Sequence, residues 1–130
     1  MDNRRAHPRI AESLGVRLTI ESAPDQPELV GHTYECRTSD ISLRGARLVG
    51  ELSLPPDARF HLAVELSGDG QVYRHLGRVV WCRPSPPGKG AGEGEGRHYI
   101  GIEFNLSPGP QFDAWRSAIL RMFERGLKNA

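Results

Sequence analysis

Phe60-His61-Leu62-Ala63-Val64-Glu65-Leu66 is the stretch that decides the fold class. Its large apolar side chains fall on every second residue, the period of a strand with one face buried and the other wet. Ser67-Gly68-Asp69-Gly70 follows at once and signals a hairpin. Ahead of the stretch, Pro55-Pro56-Asp57 interrupts whatever precedes it. Moving outward, Gln71 to Arg83 contains Leu76, Val79, Val80 and Trp81 and reads as a longer strand, and Tyr99 to Phe104 reads as the last one. Toward the N-terminus, Ala46 to Val49, then Tyr34 and Cys36 to Thr38, give two more. Leu14, Val16, Leu18 and Ile20 repeat the clean alternation, ended by the prolines of Ala23 to Pro27.

After Phe104 the period changes to about 3.6. Phe112, Trp115, Ile119 and Phe123 share one face, widened by Leu120, Met122 and Leu127. Ser107 and Pro108 suit an N-cap and a first helical position, so a helix is expected from about Pro108 to Leu127. Its aromatic stripe is read as core that packs on the sheet. Short antiparallel strands followed by one amphipathic helix predict a mostly β chain, a small β-barrel with the helix over an opening. The chain of 130 residues divides as one domain: a flexible basic arm over 1–12, a barrel over 13–106 and a C-terminal helix over 107–127.

Composition narrows the function. The 15 glycines and 10 prolines sit mostly at turns between apolar runs. The segment Pro84-Ser85-Pro86-Pro87-Gly88-Lys89-Gly90 to Gly96 lacks the spacing of a phosphate-binding loop and reads as a hairpin connection. A formal net charge of +1 supplies no global field for DNA, RNA or an acidic membrane, so any anion must be held by a local group of cations. No apolar run is long enough to span a bilayer, and the N-terminal charges are not followed by a signal-peptide core. Cys36 and Cys82 lie far apart and read as reduced, buried thiols of a cytoplasmic protein. The histidines at 7, 32, 61, 75 and 98 have no metal-ligand spacing and are expected at solvated or edge positions, and Ser42 has no nucleophile elbow around it. No catalytic residue, metal or cofactor is expected, and an enzyme is not the reading.

Two motifs carry chemistry instead. Arg4-Arg5-Ala6-His7-Pro8-Arg9 sets Arg5 and Arg9 four residues apart on a segment that Pro8 keeps from becoming helical. Extended, they reach roughly 12–14 Å apart, a span comparable with a compact dinucleotide. A guanidinium pairs bidentately with phosphate and with the O6/N7 edge of guanine. The second motif is Asp40-Ile41-Ser42-Leu43-Arg44-Gly45. Asp40 and Ser42 suit a turn, and Gly45 permits a positive φ or a close approach. A carboxylate there accepts from the N1/N2 donor edge of guanine, while the Ser42 hydroxyl donates to a phosphate or base.

Together, in this order, the two motifs resemble the PilZ family of cyclic di-GMP receptors, whose signature is an R-x-x-x-R arm and, some thirty residues on, a [D/N]-x-S-x-x-G turn. Gly77-Arg78-Val79-Val80-Trp81, Tyr99-Ile100-Gly101-Ile102-Glu103-Phe104 and the C-terminal helix extend the resemblance over nearly the whole chain. It implies a six-stranded antiparallel β-barrel that binds cyclic di-GMP through Arg5 and Arg9 of the arm and Asp40, Ser42 and Gly45 of the turn. Arg4 becomes a further phosphate contact. Trp81 matches a position where some members carry an aromatic near the ligand, with burial in the barrel as the other reading. Arg44 stands where many members have glycine. The function implied is a receptor whose arm orders on ligand binding and that signals to a protein partner. The alternative is a PilZ-like adaptor that binds proteins and no nucleotide.

Overall fold

The computed structural model describes residues 10, 11, 13–66, 70–85 and 97–128, the last three of these by backbone alone. Six strands, β1 (Gly15–Ser22), β2 (Thr33–Ile41), β3 (Gly45–Gly50), β4 (Arg59–Glu65), β5 (Val72–Pro84) and β6 (His98–Asn105), precede one helix, α1 (Pro110–Lys128). All neighbouring strands pair antiparallel, in the closed order β1-β2-β3-β6-β5-β4. Each described strand is paired on both sides, so the barrel presents no open edge among the described residues. The mostly β barrel with a terminal helix expected above is the architecture found. The segment 86–96, expected as a hairpin connection, lies outside the described residues.

Alternation does the work that the sequence promised. Val16, Leu18 and Ile20 of β1 and Phe60, Leu62 and Val64 of β4 all point into the barrel, where they meet Leu48, Ile100 and Ile102. Buried apolar side chains such as these contribute roughly 1.5–3 kcal/mol each, and they are the main force that holds the barrel closed. Thr38 is a polar residue inside: its Oγ1 accepts the Leu14 N–H at 2.9 Å, so its burial leaves that oxygen satisfied. Cys36 is also inside, and burial pushes its thiol up to about 11, so it stays protonated and unreactive near neutral pH.

The helix begins later than the sequence suggested. Gly109 adopts φ 148°, and its carbonyl accepts the Asp113 N–H at 3.0 Å. Gly109 therefore takes the N-cap place expected of Ser107, and Pro110, not Pro108, is the first helical residue. Both prolines suit that position, but a helix cannot run through a residue with so positive a φ. Trp115, Ala118, Ile119 and Met122 form the buried stripe, whereas Leu120, expected to widen it, is 49% exposed. The barrel end accommodates only a narrow face.

Trp115 is fully enclosed there, with ring centroids at 5.4 Å from Tyr73, 4.4 Å from His75 and 5.7 Å from Phe104. His75 departs from the solvated or edge placement expected of the histidines. It stacks on Phe104 at 4.7 Å, and its Nε2 finds no hydrogen-bond partner among the described residues. Burial holds it neutral by lowering its pKa from 6.5 to about 4.

A pH dependence follows. Between pH 6.5 and 4 the unfolded chain protonates this histidine while the native chain does not. The unfolded state thus binds more protons, and stability falls as pH drops through that window. The loss reaches roughly 3 kcal/mol at its acid end and then levels off. His75→Phe should remove this component, so that its urea midpoint changes less between pH 7 and pH 4.5 than that of the wild type. Parallel losses in the two proteins would refute the assignment.

Candidate functional site

Two β-bulges build the outer face on which the sequence motifs converge. In β2, Thr38 points into the barrel, and strict alternation would send Asp40 the same way. Instead the β2–β3 register slips between Thr38↔Leu48 and Asp40↔Arg47. Ser39 is absorbed as the extra residue, the phase inverts, and Asp40 faces outward with Ile41 inside. The same event occurs in β5. Val79 pairs with Ile102 and is buried, Val80 is absorbed, and Trp81 pairs with Gly101 on the outside. Trp81 is thus half-buried on the surface and is no part of the barrel core.

The two inverted positions lie on one row. Asp40 pairs with Arg47, Arg47 with Gly101, and Gly101 with Trp81, across β2, β3, β6 and β5. Three inter-strand steps span about 14 Å. Arg47 Nε stands 3.5 Å from Asp40 Oδ2 and donates to Ser39 Oγ at 2.8 Å, while its guanidinium lies 4.9 Å over the Tyr99 ring. On the far side of Gly101, the Arg83 guanidinium lies 4.5 Å over the Trp81 ring. Along and beside this row stand the Asp40 carboxylate, the Arg47 and Arg83 guanidinium groups and the Tyr99 and Trp81 rings. Arg47, Tyr99, Arg83 and Gly101 were not singled out in the sequence. Only the cross-strand register brings them beside Asp40 and Trp81, and no local motif announces them.

Gly101 makes the row usable. An ideal Cβ there would stand 2.3 Å from Cε2 and 2.4 Å from Nε1 of Trp81, so the indole lies flat on the glycine. Gly101→Ala should drive the ring off the face, with altered near-UV circular dichroism and a red-shifted Trp81 emission over the Trp115 background. We expect a stability loss of only about 1–2 kcal/mol, because the obstructed group is a side chain that can swing away. Superimposable spectra would count against this packing.

The turn of the second motif is smaller than the sequence implied. Asp40 and Ile41 still belong to β2, and Gly45 opens β3. Ser42 is buried, and both its N–H and its hydroxyl donate to the Gly45 carbonyl, at 2.8 and 3.2 Å. The Arg44 carbonyl accepts the Phe104 N–H at 2.8 Å, and the Leu43 carbonyl accepts Trp115 Nε1–H at 2.9 Å. Gly45 is not among the residues with positive φ. Its need is the close approach: an ideal Cβ would stand 2.4 Å from the Ile102 carbonyl oxygen.

Arg4, Arg5 and Arg9 lie outside the described residues. What the structure describes is the point where their segment meets the barrel. Ile10 and Ile41 exchange both backbone hydrogen bonds, at 2.8 and 2.9 Å. Ile10 also packs against the core, although the sequence placed it within the arm. Ile10, the residue after Arg9, is thus held on the barrel at Ile41, between Asp40 and Ser42.

A family model described as "PilZ domain" matches residues 3–123. No curated protein matches the chain significantly. Among solved structures, the Bacillus subtilis inhibitor of motility (MotI/DgrA) superposes with a TM-score of 0.69 at 16% identity, over 99% of this chain and 54% of that one. The PilZ domain with c-di-GMP of YcgR from Escherichia coli gives 0.65 at 18% identity, over 98% and 96% of the two chains. The K. pneumonia MrkH–c-di-GMP complex gives 0.67 at 17% identity, over 99% and 56%. The chain spans about half the length of the first and third of these. At such identities the likeness establishes the fold.

Proposed function

Because the chain belongs to the PilZ domain family, we propose that it is a receptor for cyclic di-GMP that passes the signal to a protein partner. The observation that carries this reading is the row from Asp40 to Trp81, met at Ile41 by the root of the arginine segment. Asp40 accepts from the N1/N2 edge of a guanine, a contact that demands a base with donors there. Arg5 and Arg9, with Arg4, take the phosphates and the O6/N7 edge. Trp81 offers an aromatic face to a purine that displaces the Arg83 guanidinium stacked over it, and Arg47 adds a cation from the barrel between the carboxylate and that ring. Ser42 and Gly45 hold the turn in shape, the serine with its oxygen still able to accept. Two of the solved relatives are described with c-di-GMP, which supports the same choice of ligand.

The chain binds this nucleotide and does not transform it. The arginines of the arm repel one another, and the two phosphates supply the opposing charge that draws the segment onto the barrel. A partner then reads the remodelled face. Calorimetric titration with micromolar cyclic di-GMP tests the receptor reading and yields the stoichiometry; no heat would reduce the chain to a PilZ-fold adaptor. Hydrogen exchange tests the docking of the arm, since equal protection of residues 1–10 with and without nucleotide would sink it.

A further inference from the structure

Four hydrogen bonds stand out among those that hold the turn that follows Asp40. Ser42 donates twice to Gly45, and Phe104 N–H donates to Arg44. These three lie within the barrel. The fourth comes from outside it: Trp115 of α1 donates from Nε1 to the Leu43 carbonyl at 2.9 Å, across 72 residues of chain. The indole has no freedom to aim elsewhere, since Tyr73, His75 and Phe104 surround it and it is fully buried. Leu43 in turn packs against the core between buried Ser42 and the Arg44 carbonyl.

We propose that Trp115 is a positioning residue for the nucleotide-binding turn, and that it couples the seating of the C-terminal helix to nucleotide affinity. This rests on the reading of Asp40–Gly45 as part of the cyclic di-GMP site. The helix fixes the position of one rigid donor, the donor fixes the Leu43 carbonyl, and that carbonyl sits three residues after Asp40 in a tightly bonded turn. Coupling of binding equilibria is reciprocal. Nucleotide that favours the ordered turn therefore favours the seated helix, and the helix becomes an element through which occupancy is read outside the barrel.

The test compares two variants of the full chain. Trp115→Phe keeps a large ring in the cage and deletes only the N–H donor and part of the indole. Ile119→Val also thins the helix–barrel interface, from another buried position, and leaves the Leu43 bond intact. Calorimetry with cyclic di-GMP should show W115F binding about tenfold more weakly than wild type, while I119V stays within about twofold. Hydrogen exchange should show that cyclic di-GMP slows exchange in α1 of the wild type, and that this protection is lost in W115F. An equal loss in I119V would overturn the assignment of the coupling to the Trp115–Leu43 bond, and equal affinity of W115F and wild type would overturn the coupling itself. So would a wild-type helix whose exchange ignores the nucleotide, a result that needs no variant to fold. Wild-type binding with these outcomes sinks the coupling alone, whereas no wild-type binding at all sinks the receptor reading and the coupling with it.

Discussion

Asp40→Ala should weaken cyclic di-GMP binding by about ten- to a hundredfold while the barrel melts near its wild-type temperature. The loss is that of a charge-assisted hydrogen-bonded contact, roughly 1.5–3 kcal/mol. The fold is largely spared because Asp40 points outward and, although its own side chain is only 14% exposed, its partner Arg47 is 43% exposed and can rehydrate. An ion pair of that kind contributes about 0–1 kcal/mol. Asp40→Asn should fall between the two, since it keeps one acceptor and loses the charge. Calorimetry paired with thermal melts decides the matter. An alanine variant that binds as wild type would remove Asp40 from the site, and one that unfolds would contradict its placement on the surface.

Gly45→Ala should act the other way, through the fold first. The new methyl would meet the Ile102 carbonyl oxygen at 2.4 Å, and that oxygen belongs to backbone that cannot turn aside. Relief requires prising β3 from β6, next to the pair Ala46↔Ile102. We expect a cost of about 2–3 kcal/mol, which for a chain of this size lowers the melting midpoint by roughly 10 °C. Nucleotide binding should suffer only as the turn shifts. If Gly45→Ala melts like wild type and fails only to bind, the glycine serves the ligand and not the strand contact. The two substitutions thus separate the roles of residues that stand five apart in one short motif.

Much of the barrel was legible before any coordinates. The alternation in Leu14–Ile20 and Phe60–Leu66 is strong because each strand buries one face against a single core and wets the other. The helix was legible for the same reason at a different period, although its start was not. Ser107-Pro108 and Gly109-Pro110 are competing caps, and only the φ of Gly109 chooses between them. The histidines were read as surface residues because a polar ring gives no periodic signal. His75 lies in an aromatic cage because the helix lid brings Trp115 onto it.

The candidate site divides along the same line. The sequence by itself determined the strands, the helix and the two short motifs, since each is encoded in the spacing of neighbouring residues. Which way Asp40 and Trp81 face was decided only by the tertiary structure. A bulge costs one residue and leaves no mark in composition, yet it reverses every side chain beyond it. Without the slips at Ser39 and Val80, period two would have put Asp40 and Trp81 in the barrel beside Thr38 and Val79. The slips themselves arise from how β2 matches β3 and how β5 matches β6. Those pairings are non-local, and so is the row of Asp40, Arg47, Gly101 and Trp81 that they create.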